Sequence, residues 1–307
     1  MGGKRRSKGR EISGILLLDK PIDISSNKAL QRVKAIYNVK KAGHTGSLDP
    51  QATGLLPLCF GEATKFSNYL LNSDKTYEAR CQLGVVTTTG DTEGEIVEQN
   101  TVPELSLEAI DQVLQSFLGD IEQMPPMHSA LKQNGQPLYK LARKGIVVPR
   151  ESRSVTIHYI ELLGYSNHFL SFRVSCSKGT YIRTLAEDIG KKLGCGAHID
   201  SLRRTRVGEL CVENAVTMDA LQTLRNNEAF ESLDHLLKPT ELMLSDWPLL
   251  TLSSDSAFYI KQGQPVFIPG APTNGLVGLK EKEGMFLGLG EIMDDGRVAP
   301  RRLVNTA

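Results

Sequence analysis

Apolar positions along the chain fall into three kinds of pattern, each predicting a different element. Gly14-Ile15-Leu16-Leu17-Leu18-Asp19-Lys20-Pro21 is an unbroken apolar run closed by charge and proline, the pattern of a buried strand feeding a loop. From Asn27 to Tyr37 the residues Leu30, Val33, Ile36 and Tyr37 recur at helical spacing behind a Ser25-Ser26 cap, with Lys28, Arg32 and Lys34 on other faces. Ala63, Phe66, Tyr69 and Leu70 mark a second amphipathic helix ending near Asn72. Leu107, Ile110, Val113, Leu114 and Phe117 mark a third, capped by Ser106 and stopped by Gly119. Strict alternation takes over from Tyr77 to Val85, with Tyr77, Ala79, Cys81, Leu83 and Val85 on one face. It returns in Phe169 to Cys176, a strand expected to pair with Val155 to Leu163. Ile182, Leu185, Ala186, Ile189 and Leu193 then restore a helical period.

Leu202-Arg203-Arg204-Thr205-Arg206-Val207-Gly208 is a basic cluster running into a strand, followed by short helices near Met218 to Leu224 and Leu233 to Leu237. Pro239 and Trp247-Pro248 break the pattern and place a domain boundary near residue 248. Beyond it come a helix over Ser256 to Gln262 and short strands over Val266 to Pro269, Leu276 to Lys280, Met285 to Leu289 and Arg297 to Val304. That spacing predicts a small β-barrel of about 60 residues, the size of an appended binding module.

The stretch from Gly43 to Pro57 breaks all three patterns. Gly43, Gly46 and Gly54 permit positive φ or close backbone approach, and Pro50 disfavours the helical region for Asp49, so Asp49 belongs on a stiff turn flanked by Leu48 and Leu55-Leu56. Two readings fit: a carboxylate presented for chemistry, or an Asx-turn in which the side chain caps its own backbone. Arg183 stands in the first turn of a predicted helix and off its apolar stripe, where the macrodipole disfavours a cation. It calls for an anionic partner, unless the side chain reaches solvent. Tyr77, on the inward face of its strand, reads by pattern alone as a packed residue.

The 307 residues are 40% hydrophobic and 23% charged, ordinary for a soluble globular protein, and the formal charge of +1 conceals a gradient. Residues 1–10 carry Lys4, Arg5, Arg6, Lys8 and Arg10 with no acid, so a nucleic-acid surface would be local. Met124 to Arg153 forms a second basic arm, with Lys132, Lys140, Arg143, Lys144, Arg150 and Arg153 bracketed by prolines around Tyr139, a composition suited to phosphate backbones. The five cysteines are scattered and never form C-x-x-C, which argues for small buried residues rather than a disulfide framework or zinc site. His128, His158, His168, His198 and His235 share no ligand-like spacing. There is no phosphate-binding glycine loop, no dinucleotide fingerprint and no metalloprotease motif. The apolar run after the basic N-terminus is too short for a signal peptide, and no run approaches the ~20 apolar residues of a membrane span. A cytoplasmic location is expected.

Five blocks together carry a family resemblance: Leu18-Asp19-Lys20-Pro21 with Ser25-Ser26; Gly43-His44-Thr45-Gly46-Ser47-Leu48-Asp49-Pro50 with Ala52-Thr53-Gly54; Gly61-Glu62-Ala63-Thr64-Lys65; Ser177-Lys178-Gly179-Thr180-Tyr181-Ile182-Arg183; and Leu202-Arg203-Arg204. In this order they closely resemble the bacterial tRNA pseudouridine-55 synthases of the TruB family, from about residue 12 to Arg301-Arg302-Leu303-Val304. The resemblance implies an isomerase with neither metal nor organic cofactor. Asp49 matches the essential aspartate, which acts at the sugar by adding to C1′ or by abstracting the 2′ proton. Arg183 matches the arginine paired with it, holding it oriented and ionised. Tyr77 matches a tyrosine that stacks on the target base and is a candidate for proton removal from C5. Tyr181 and Leu202 match residues lining the uracil pocket, His44 one that fills the gap left by the extracted base, and Lys20 a lysine giving electrostatic support. The basic arm at about 124–153 resembles an insertion that folds over the T-loop, and the C-terminal barrel a PUA domain facing the acceptor-stem side. Two positions depart from the family pattern: Asp23, often glycine, and Ser47, often threonine or alanine.

The expectation is therefore an α/β protein of the α+β type, with a large mixed, mainly antiparallel sheet flanked by helices and a small C-terminal barrel. Its parts are a basic, disordered tail at 1–10, a catalytic domain at 11–247 and an RNA-binding module at 248–307. The partner is the tRNA T-stem-loop, with no membrane, and the protein is monomeric. Two rivals remain on this reading, an RNA-binding protein without turnover and a carboxylate glycosidase. The second wants two acids flanking one bond, and no second acid in the matched motifs is a persuasive partner.

Overall fold

The computed structural model describes residues 9–129, 131–133 and 135–305. Most of the expected basic tail, residues 1–8, lies outside them. One sheet organises the larger part of the chain. Its strands are β1 (Gly14–Lys20), β2 (Ala52–Phe60), β3 (Lys75–Leu83), β4 (Gly119–Gln123), β5 (Arg153–Ser166), β6 (Phe169–Cys176), β7 (Ala197–Val207) and β8 (Val216–Thr217). They lie in the order β8-β1-β2-β7-β3-β6-β5-β4, with short segments Ala42–His44 and Leu210–Cys211 added on β2 and β7. The β8–β1 and β2–β7 pairs are parallel and the other neighbours antiparallel. The mixed, mainly antiparallel sheet is as expected.

Four helices matter for the core: α1 (Ser26–Tyr37), α2 (Leu107–Gln115), α3 (Ile182–Lys192) and α4 (Met218–Asn226). Helices α2 and α3 pack Ile110, Leu114, Ile182, Leu185 and Ile189 against Ala79, Cys81, Phe172 and Val174. Helices α1 and α4 pack Leu30, Val33, Ile36 and Leu221 against Leu16, Leu18, Leu56 and Leu58. On the other face Ile15 and Leu17 join Leu55, Phe66 and Met243, so β1 is buried on both sides. That accounts for its unbroken apolar run, since only a strand covered on one face needs to alternate. Each fully buried Leu or Ile contributes ~1.5–3 kcal/mol. The two helix-covered cores meet at a seam, and the residues packed against both are Tyr77 and Leu202.

After residue 248 a separate four-stranded sheet forms, β9 (Leu249–Leu252), β10 (Leu276–Glu281), β11 (Phe286–Ile292) and β12 (Val298–Leu303), in that order, with helix α5 (Ser254–Lys261). The strand expected at Val266 to Pro269 is reduced to one bridge from Val266 to Val298, and Leu249–Leu252 pairs parallel to β10 instead. Three further expectations are revised. The helix expected from Ala63 to Asn72 is broken at buried Phe66 into Gly61–Lys65 and Ser67–Asn72. Gly119 does not stop α2, which ends at Gln115 with Ser116 as its C-cap, but opens β4 at φ +87°. The basic cluster at 202–207 lies within β7 rather than before a strand.

Candidate active site

Asp49 opens a tight turn at the head of β2. Ala52 N donates to Asp49 O at 3.1 Å, with Pro50 in the second position, where its fixed φ suits such a turn. The turn is thus closed by backbone, and among the described residues the Asp49 carboxylate accepts from Arg183 alone, which sets the Asx-turn reading aside. Ser26 ties the loop to the start of α1, its hydroxyl accepting from Leu48 N at 2.7 Å and donating to Leu48 O at 3.0 Å. From below, Lys20 donates its ammonium to the carbonyls of Pro21, Ile24 and Pro50 at 2.8, 2.7 and 3.3 Å. Of the three glycines, Gly46 and Gly54 have positive φ, +117° and +98°, while Gly43 needs no such freedom. Asp23 sits at φ +62° beneath the loop, its N–H donating to Pro50 O at 3.0 Å. A left-handed backbone at this position is what glycine would supply most easily.

Arg204 is the largest fully buried side chain among the described residues, 1% exposed. Its Nε donates to Leu55 O at 2.8 Å, Nη2 to Gly46 O at 3.2 Å and Nη1 to Ser47 O at 3.5 Å, so one guanidinium holds both ends of the Asp49 loop. Its backbone pairs with Tyr77 on β3 and with Gly54 on β2. Contact with Gly54 is so close that an added Cβ would lie 2.2 Å from Arg204 O. Arg203, next to it, forks onto Asp19 at 2.8 and 3.0 Å, joining β7 to β1 across β2.

Arg183 comes from the first turn of α3 but does not reach solvent. Its side chain is 7% exposed, and Nε lies 3.0 Å from Asp49 Oδ2. The remaining nitrogens are held by Thr89 O at 2.9 Å, His128 O at 2.8 Å and the buried Asp91 carboxylate at 3.6 Å. Asp91 is fixed in turn by Thr89 Oγ1 and Glu93 N. Asp49, Arg183 and Leu202 line one narrow cleft together with Gln51, Asp91 and Ser201.

Burial pushes the Asp49 carboxyl up, Arg183 pulls it down and Asp91 pushes it up again, and the balance lies above the ordinary aspartate value. Arg183 favours the charged form, as expected of the pair, and desolvation works against it. Burial likewise lowers Lys20 to about 8, with Asp49 and Asp23 opposing. Tyr77 is raised by burial against the pull of Arg204, and Tyr181 is raised by burial too. His44 is lowered by burial and by Arg204, which favours a neutral ring.

The other expected residues surround this pair. Leu202 faces Ala52 on β2 and Ala79 on β3. Tyr181 caps α3, its N–H donating to Gln123 Oε1 at 2.7 Å while Gln123 Nε2 returns a bond to Tyr181 O at 3.0 Å. His44 ends the short strand paired to Leu58, and its Nδ1 is buried with no partner among the described residues. Lys20 touches the backbone of the loop, not the Asp49 carboxylate. The basic arm contains a two-residue hairpin at Lys132–Gln133 and Gln136–Pro137 and a short helix at Leu138–Ala142. Lys132, Lys140, Arg143, Lys144 and Arg153 are exposed, and Arg150 is tied back to Pro125 O at 2.8 Å.

A model of the N-terminal domain of TruB family pseudouridylate synthases matches residues 34–182. Two models of TruB C-terminal domains match residues 183–245 and 248–304. The tRNA pseudouridine synthase B of Nitrosococcus oceani is 55% identical over 304 residues, covering 99% of this chain and 98% of that protein. This chain belongs to the TruB family of pseudouridine synthases. Its relative of the same name from Ectopseudomonas mendocina is 56% identical over 297 residues, 97% of each chain. Among solved structures, an H/ACA RNP bound to a substrate RNA containing 2′-deoxyuridine aligns with a TM-score of 0.72 at 25% identity, over 94% of this chain and 84% of that one. A Cbf5-Nop10-Gar1 complex aligns at 0.71 and 27%, over the same shares.

Asp91 and Arg204 are the site residues that sequence reasoning missed. Arg204 was visible within Leu202-Arg203-Arg204, but a run of basic residues reads as solvated surface until a strand turns alternate members inward. Asp91 lay in a polar loop whose approach to Arg183 depends on the Asp91–Ile199 bridge, a contact between residues distant in sequence.

Proposed function

We propose that this protein converts uridine to pseudouridine in tRNA, at position 55 of the T-loop. The observation that carries this reading is the Asp49–Arg183 pair, a carboxylate on an immobilised turn, held at 3.0 Å by a buried arginine at the mouth of a cleft. The relatives named tRNA pseudouridine synthase B support the choice of RNA. In the reaction N1–C1′ breaks, C5–C1′ forms, the C5 proton leaves and N1 gains a proton, so no atom is added overall. Asp49 acts at the sugar, by attack on C1′ or by removal of the 2′ proton, and either role needs it ionised. Arg183 orients it. Tyr77 and Leu202, at the seam of the two cores, offer the base an aromatic face and an apolar wall, as Tyr181 does from the start of α3. A uridine in a structured loop reaches such a cleft only by leaving its stack, and His44 fills the space it vacates. The exposed cations of the arm at about 124–153 close over the loop, and the module after residue 248 meets the acceptor-stem side.

The test is a T-stem-loop transcript tritiated at C5 of uridine. Wild type should release tritium and yield pseudouridine, whereas Asp49→Asn should release none and keep its affinity. Tight binding by wild type with no tritium release would leave an RNA-binding protein and sink the enzyme reading. The glycosidase alternative is disfavoured by the state of the two other acids of the cleft, Asp91 and Asp200. Asp91 is buried and held by Thr89, Glu93 and Arg183, and Asp200 is paired with Arg80, so neither is a free acid across a scissile bond from Asp49.

A further inference from the structure

Residues 1–10 contain no acid, nor do residues 24–48, where Lys28, Arg32, Lys34, Lys40 and Lys41 fall. The fold joins them. Lys40 N donates to Arg10 O at 3.3 Å, and Arg10 bridges in parallel to Val39 beyond the end of α1. The Arg10 guanidinium lies 5.3 Å from the centre of the Phe230 ring, and Arg225 lies 4.5 Å from the same ring. Between α1 and α4 runs a groove of about 490 Å³, edged by Arg32 and Arg225 over Ala35, Ile36 and Met218. The acids on this flank are Glu11, paired with Lys40 at 3.1 Å; Asp234, paired with Arg10; Asp219 in the groove; and the exposed Glu228 and Glu231 on either side of Phe230 in the chain. Among the described residues Lys28, Arg32, Lys34, Lys41 and Arg225 are in no ion pair, and Lys28, Arg32 and Lys41 are exposed. None of them lines the Asp49 cleft. Helix α1 starts at the cleft, through the Ser26–Leu48 bonds, and at 1.5 Å per residue carries the surface ~18 Å away from it.

We propose that this flank is a second phosphate-binding surface, which grips the part of the tRNA outside the T-stem-loop. The proposal rests on the tRNA reading above. An RNA backbone fits better than a lipid surface because the apolar side of α1, Leu30, Val33, Ile36 and Tyr37, is buried, leaving no apolar row to enter a bilayer.

The test compares full-length tRNA with the isolated T-stem-loop for two proteins: wild type and an Arg32→Gln/Lys34→Gln/Arg225→Gln variant. Kd is measured across a salt series, and pseudouridine yield on the stem-loop alongside. Each phosphate that a variant no longer neutralises should lower the slope of log Kd against log salt by about 0.7–0.9. The triple variant should therefore show a slope lower by about 2 on full-length tRNA, with at least several-fold weaker binding in low salt. On the stem-loop its affinity, slope and yield should match wild type. An unchanged slope on full-length tRNA would overturn the proposal, as would equal weakening on both RNAs. Capture of wild type by phosphatidylserine vesicles with no slope change on tRNA would assign the flank to lipid instead. If wild type made no pseudouridine in the stem-loop, the proposed reaction would fail, while the salt comparison could still be read.

Discussion

Gly54→Ala gives the sharpest test of how the Asp49 loop is held, because the structure fixes what the methyl group meets. Gly54 lies five residues after Asp49 in β2, opposite Arg204 in the parallel strand β7. An added Cβ would sit 2.2 Å from Arg204 O and 2.9 Å from Arg204 N. Both are backbone atoms, so no side chain can swing aside, and β2 and β7 must separate by most of an ångström. At φ +98° an L-residue also carries a backbone penalty of about 1–2 kcal/mol. Parting the strands weakens the ladder at Leu202–Ala52, Arg203–Thr53 and Arg204–Gly54, and breaking two hydrogen bonds there costs ~2 kcal/mol. The sum, about 3–4 kcal/mol, is a large share of the ~5–15 kcal/mol that holds a typical domain folded. For a protein of this size the thermal midpoint should fall by about 6–16 °C.

Activity should fall further than stability alone explains. Movement of Arg204 releases the carbonyls of Gly46, Ser47 and Leu55, and with them the alignment of Asp49 to Arg183. A misplacement of ~1 Å at a reacting group can cost ~100-fold in rate. Single-turnover pseudouridine formation at a temperature where the variant is folded by circular dichroism should therefore drop at least tenfold, with stem-loop affinity little changed. Arg204→Lys should lose rate in the same way, and the double variant should be less impaired than the two losses added. A Gly54→Ala protein melting within 2 °C of wild type and turning over normally would refute the account of the strand contact.

Two other outcomes follow from the same loop. Asp23→Gly should be neutral or stabilising by up to about 1 kcal/mol, since it relieves φ +62° and forfeits an exposed bond from Gln51 and the weaker attraction to Lys20, and urea unfolding would read it. The pH profile should show an acid limb, because Asp49 must be ionised and its carboxyl is raised by burial. The midpoint of single-turnover rate should lie above the ordinary value for aspartate. Arg183→Gln removes the cation that holds it down, so the limb should move to still higher pH, and a limb that stayed in place or moved down would contradict the assignment.

The elements were legible wherever one chain segment made the pattern. The alternation of β3 and β6, the helical stripes of α1 and α3 and the cap at Ser106 rest on period and local chemistry, which sequence carries directly. What escaped was set by neighbours across the sheet. Val266 looked like a strand but had only Val298 to pair with, whereas Leu249–Leu252, taken for a boundary, found an open edge on β10. Within the site, Asp49 and Arg183 could each be singled out, one as an acid on a stiff turn and the other as a cation where a helix disfavours it. Their 3.0 Å pairing resolves both anomalies together.

The buried cations were the least legible part, and the reason is physical. Lysine and arginine are ordinarily surface residues, because an unpaired charge is costly to desolvate. Lys20 and Arg204 escape that cost without carboxylate partners. Lys20 is wrapped by three backbone carbonyls and Arg204 by three others, all belonging to the Asp49 loop or the segments beside it. All but Leu55 O lie outside the strands, so the cations satisfy a loop that a sheet cannot, and neither requirement shows in the sequence until the other is placed. Leaving Asp49 as an acid with a single cationic contact is the functional consequence. Were Lys20 or Arg204 paired to it directly, the carboxylate would be more firmly ionised and less available to react at a sugar carbon. The framework directs the charge of Lys20 and Arg204 onto backbone, which leaves Arg183 as the cation that Asp49 meets in the cleft.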